Sequence, residues 1–199
     1  MKTECMGIET EHPAFQSKLL DPEKHYMIFR DLRKYAEAAG ISVEYIYTSM
    51  VGVCSEKELD WMEHFHENGQ YGINGLIYAG KFKDSIFKKM CALAGCFIRN
   101  FRDAKVAMLS DVIKTSVDRD FDPSILLVPN FYMCGTEKGG SKMFDRDRTN
   151  LYGFMMDRSN RGKCTIIYVE DMDKMRLDYG DAFYKLFADF TVFKASDLK

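Results

Sequence analysis

At 199 residues, with 46% apolar and 14% aromatic side chains, the chain is long enough to bury a real core and too short for two full domains. A formal net charge of -2 gives no global pull toward nucleic acid or an anionic membrane, so an anionic partner must meet a local basic patch. The six cysteines are scattered, and the first residues, MKTECMGIETEHP, hold no apolar run of signal-peptide type. Charges interrupt every apolar segment before the roughly 18 residues that a membrane helix needs. The expected setting is a reducing cytoplasm, away from membranes.

In chain order, Asp21-Pro22-Glu23 supplies a capping Asp followed by Pro in a first turn, predicting a helix over 22–39 that Gly40 ends. Val43 to Tyr47 (VEYIY) is β-branched and aromatic and predicts a short strand. Ser55-Glu56-Lys57-Glu58 has capping-box form ahead of a second helix, which stops at Gly69. From Gly72 onward, short apolar runs alternate with helical stretches, the mark of a parallel α/β sheet. The runs are GLIYAG (75–80), AKVAML (104–109), SILLVP (124–129), CTIIYV (164–169) and FTVF (190–193), with helices expected near 84–98, 110–117, 144–160 and 179–187. The continuously apolar ILLV and TIIYV suit strands covered on both faces. Only CGTEKGGSK (134–142) is composed as an unstructured loop.

The order GLIYAG, helix, AKVAML, Ser110-Asp111-Val112-Ile113, ILLVP resembles the AAA+ core of DnaC-type helicase loaders and IstB-type transposition ATPases. LYGFMMDRSNRGKCTIIYVEDM (151–172) resembles that family's segment of the form DR…RGKPTII and the sensor after it, and YGDAFYKLF (179–187) stands where a YG segment with two arginines follows. The likeness covers about 70–199. It implies an AAA+/P-loop NTPase-like core of five parallel strands, GLIYAG and TIIYV being central neighbours, with helices on both faces. Residues 1–70 would then be a small, mostly helical extension that serves as a partner-binding segment.

The resemblance also implies where ATP and Mg²⁺ would sit, and there the chemistry is eroded. A working P-loop holds phosphates with backbone N–H groups and a Lys, and places a hydroxyl on the metal. Here the turn Gly80-Lys81-Phe82-Lys83-Asp84-Ser85 is several residues too short, and the literal GxxxxGK at Gly75 to Lys81 has strand residues in its middle. The Asp-Glu pair that should end the third strand, binding the metal shell and polarising water, is Pro129-Asn130. The sensor falls at Glu170-Asp171, whose charge repels a γ-phosphate, and the arginine positions correspond to Ala182 and Lys185. Gly80, Lys81, Lys83, Ser85, Asn130, Asp171 and Lys185 are thus the residues of a degenerate nucleotide site. No catalytic residue and no cofactor are expected, ATP with Mg²⁺ being the pair the family would use.

Glu170, Asp171 and Asp173 read as a helix N-terminus, where carboxylates suit the dipole, ahead of a divalent-cation site. His64, His66, Cys91 and Cys96 match no zinc spacing, and no His lies in the α/β region to activate a Cys or Ser nucleophile. Basic residues cluster around two core helices. Arg99, Arg102, Arg158, Arg161 and Lys163, with aromatics nearby, are the candidate contacts to single-stranded DNA. The expectation is a pseudo-ATPase of the helicase-loader group, of a kind carried by mobile elements or phages. It would act in DNA replication by binding a replicative helicase or another AAA+ protein, with a homo-oligomer allowed. A divergent active ATPase using Lys81 or Lys83, Ser85 and Asp84 is one rival, and a nucleotide-independent interaction or inhibitor protein on the same scaffold is the other.

Overall fold

The structure, a computed structural model, describes residues 13–82, 85–116, 122–134 and 143–197. Six short helices come first: α1 (Pro13–Gln16), α2 (Tyr26–Arg30), α3 (Leu32–Ala39), α4 (Glu44–Tyr47), α5 (Glu56–Glu63) and α6 (Phe65–Gln70). There follow β1 (Gly75–Ala79), α7 (Ile86–Arg99), β2 (Ala104–Val106), α8 (Leu109–Thr115), β3 (Ile125–Tyr132), α9 (Asp145–Asn160), β4 (Cys164–Val169), α10 (Met172–Tyr179), α11 (Asp181–Leu186) and β5 (Thr191–Lys194). The five strands form one sheet in the order β2-β3-β4-β1-β5, and each adjacent pair is parallel. GLIYA and CTIIYV are therefore neighbours, in register from Gly75 opposite Thr165 to Ala79 opposite Val169.

Both sheet faces are covered, which is why the central strands are apolar throughout. Leu76, Tyr78, Ile125, Leu127, Ile166 and Tyr168 point to one face, against α7 and Trp61 of α5. Their strand neighbours Ile77, Leu126, Val128, Ile167 and Val169 point to the other, against α8 to α11. Helix α7 is buried nearly all round because a third layer lies over it, in which Ile98 joins Ile28, Phe29, Leu32, Ala36 and Ile46. α4 presses so closely on α7 that a Cβ on Gly95 would fall 1.9 Å from the Tyr45 carbonyl oxygen. The segment before β1 is thus helical and shares its core with the sheet.

Two expectations change here. VEYIY is not a strand: Glu44–Tyr47 forms α4, whose carbonyls are gathered by a buried guanidinium, that of Arg99, described below. Five β-branched and aromatic residues carry no periodicity that distinguishes a buried helical turn from a strand, and tertiary contact decides. The helix expected over 22–39 begins later and breaks at Asp31, which has φ -121° and ψ 29°. Asp21 caps an isolated turn, its Oδ1 accepting from the Glu23 and Lys24 amides, and Gly40 closes α3 in the left-handed region at φ 67°.

Candidate functional site

In parallel α/β sheets ligands meet the C-terminal ends of the strands. Here that end is an open groove of about 610 Å³ lined by Phe82, Phe87, Met108, Asn130, Met133 and Tyr168. Phe87, Met108 and Met133 are each more than two-fifths exposed. The Phe82 ring stands edge-on to Tyr78 and Tyr168, filling the turn after β1 with aromatic surface.

The polar residues expected there are engaged in building the fold. Gly80, at φ 99°, donates its N–H to the Val169 carbonyl and carries the chain off the sheet. The Lys81 ammonium lies 3.6 Å from a Glu170 carboxylate oxygen, and the other Glu170 oxygen accepts from the Cys134 amide at 2.7 Å. Lys83 and Asp84 lie outside the described residues. Ser85 is the N-cap of α7, its hydroxyl accepting from the Lys88 amide. Asn130 accepts the Leu109 amide on Oδ1 at 2.8 Å, satisfying the start of α8. β3 shifts register between Val128 and Tyr132, around Pro129, which has no N–H to give the ladder. Asp171 caps α10 through the Lys174 amide, so the acidic run is a helix start as its composition suggests. Lys185 is exposed on α11, away from the groove lining. Among the described residues, no group of three or more His, Cys, Asp or Glu side chains is placed to hold a metal.

The basic candidates separate into two groups. Arg99 is buried, and its Nη1 donates to the carbonyls of Tyr45, Ile46 and Thr48, so it holds α4 onto α7. Arg158 is fully buried. Its guanidinium donates to Thr165 Oγ1, Asp122 Oδ1 and the carbonyls of Pro123 and Cys164, stitching α9 to the starts of β3 and β4. Desolvation lowers the pKa of both guanidiniums. Neither can reach a phosphate, which corrects the assignment of these two as nucleic-acid contacts: the geometry that makes them useful to the core removes them from solvent. Arg161 and Lys163 remain at the surface, both on the Asp122 carboxylate, at 2.6 and 2.5 Å; Arg161 also pairs with Asp157. Arg102 is exposed, and its guanidinium has no partner among the described residues.

A buried constellation had no forewarning beyond its cap. Ser55 and Glu58 form the expected capping box on α5. The same Glu58 carboxylate, 1% exposed, accepts from Tyr78 Oη at 2.7 Å and from Lys89 Nζ at 2.9 Å. A single acid thus ties α5, β1 and α7 together. Beside it, burial pushes the Cys54 thiol up to about 12, which leaves it unreactive.

No protein-family model matches the sequence, and a search of curated proteins finds no relative.

Proposed function

We propose that this protein acts by binding rather than by hydrolysis, as a pseudo-ATPase of the AAA+ type related to helicase loaders. Its partner is a replicative helicase or another AAA+ protein, with single-stranded DNA as a second ligand through the exposed Arg102 and Arg161 and the half-buried Lys163. One observation carries the reading: where β1 and β3 end, the groups that would handle phosphate and metal are Phe82, Pro129 and an Asn130 already committed to the α8 amide. Phosphoryl transfer depends on electrostatic stabilisation of the migrating group, and an apolar groove offers none. The β1 and β4 strands lie side by side in the middle of an all-parallel sheet, in keeping with the resemblance. The exposed Phe87, Met108 and Met133 also favour the second reading, a nucleotide-independent interaction protein, because such surface suits protein contact.

The test is a steady-state ATPase assay with Mg²⁺ alongside affinity capture of a replicative helicase from the same source. Background turnover with a helicase complex is the expected result. Magnesium-dependent turnover of about one per minute or more, abolished by Lys81→Ala, would overturn it.

A further inference from the structure

At the opposite end of the sheet, a second cleft of about 310 Å³ opens between α6 and the N-terminal ends of β1, β3 and β4, at the lower end of small-ligand clefts. Phe65, Gln70, Asn74, Arg102, Ser124 and Ile125 line it. The Arg102 guanidinium, the Asn74 amide and the Ser124 hydroxyl have no partner among the described residues. Backbone bonds fix their positions: Asn74 accepts the Thr165 amide, Ser124 accepts the Cys164 amide, and Arg102 donates its N–H to Phe97. The facing wall is apolar. Phe65 is half-buried with its ring edge-on to Phe97, and Ile125 closes the floor.

We propose that this cleft binds a nucleoside phosphate, the phosphate on Arg102, Asn74 and Ser124 and the base against Phe65 and Ile125. Three donor side chains that line one cleft, without partners among the described residues, beside the half-buried Phe65 ring match the two chemically unlike halves of a nucleotide. The surrounding charge is mixed. Beyond the Gly162 edge, Arg158, Arg161 and Lys163 converge on Asp122, and Asp103, the acid next to Arg102, engages one oxygen with the Ser124 amide at 3.3 Å. A free mononucleotide and a single strand both present phosphoryl oxygens to Arg102, as a monoester in the first and a diester in the second. The proposal rests on the single-stranded DNA half of the reading above and gives that half a defined site.

The sole tryptophan, Trp61, lies 5.6 Å from the Phe65 ring, edge-on, so its fluorescence, excited at the red edge to avoid the bases, reports on the cleft. The full chain and its Arg102→Ala variant would be titrated with thymidine 5′-monophosphate, with thymidine, and with a short oligothymidylate at two salt concentrations. Calorimetry would serve as an independent readout. The expected result is saturable binding of the monophosphate, weakened about tenfold or more in Arg102→Ala and absent for thymidine. A strand source is marked by tighter oligothymidylate binding whose log–log salt slope falls by about one in the variant. Equal affinity for both phosphates marks a mononucleotide source, and then the DNA half of the broader reading fails while the site stands. If the oligothymidylate binds and the monophosphate does not, or if Arg102→Ala binds like the parent, the site is overturned and the broader reading survives. Because the Arg102 side chain is exposed and has no partner among the described residues, the variant should fold as the parent does, which circular dichroism checks.

Discussion

At the C-terminal ends of the strands, the polar groups are engaged as caps or ion pairs and the surface between them is aromatic and thioether. At the N-terminal ends, a fully buried arginine organises the strand starts while three donor side chains nearby have no partner among the described residues. Fold position alone would assign ligand binding to the first end and structure to the second. The proposed nucleotide cleft lies at the second end, argued from side-chain chemistry and not from the scaffold.

The largest expected effect sharpens this contrast at the level of stability. Arg158→Met removes a buried cation that four oxygen acceptors depend on, among them the Pro123 and Cys164 carbonyls. It should cost about 3–5 kcal/mol, read as a fall in the urea midpoint at unchanged slope. Lys89→Met should cost a similar amount, because it leaves the buried Glu58 carboxylate with Tyr78 and Ser55 as donors and no counter-charge. If either variant stayed within about 0.5 kcal/mol of the parent, the claim that these cations are structural would fail.

A smaller effect comes from acid. Burial raises the Asp122 carboxyl pKa, but the Lys163 hydrogen bond and the charges of Arg158, Lys163 and Arg161 outweigh it, and the pKa lies below the ordinary 3.8. A depressed carboxylate pKa contributes stability that is complete above the unfolded value and lost as pH falls through the folded one, so the loss should begin near pH 4 and continue downward. Urea midpoints measured from about pH 5 to about pH 3 should fall less steeply in Asp122→Asn than in the parent. Parallel slopes would mean that the three cations gain nothing from this carboxylate. At the other sheet end, Asn130→Ala should cost about 1 kcal/mol by orphaning the Leu109 amide, the size of a lost helix cap.

Much of this arrangement was legible in the residues. The apolar runs placed all five strands, because burial on both faces leaves a continuous signal. Helix α10 was anticipated only at its acidic start. What could not be read was which charges the core would absorb. Arg99 and Arg102 are three residues apart, yet one is buried on the carbonyls of α4 and the other faces solvent. That difference depends on α4, a segment whose VEYIY pattern indicated a strand. Glu58 announced its cap through local spacing, but its bonds to Tyr78 and Lys89 span 20 and 31 positions, and no local pattern encodes them.

The smallest expected effect is the most discriminating. Lys81 is the one cation in the turn after β1 whose side chain is described, and the divergent-ATPase reading rests on it or on Lys83. Its side chain is 83% exposed, and its contact is a 3.6 Å pair with Glu170, whose other oxygen holds the Cys134 amide independently. An exposed pair of this length contributes little, because solvent screens it and ordering a long side chain opposes it. Lys81→Ala should therefore leave the urea midpoint, and any ATP-dependent signal, where the parent has them, within about 0.5 kcal/mol in stability. Glu170→Gln is the complementary change: it removes the acid while keeping an acceptor for Cys134, and it separates charge from hydrogen bonding. If Glu170→Gln created measurable Mg-ATP binding that Lys81→Ala then abolished, the groove would be a nucleotide site masked by one carboxylate. If both variants match the parent, Lys81 and Glu170 have no part in phosphate binding, and the search for an anionic ligand turns to Arg102.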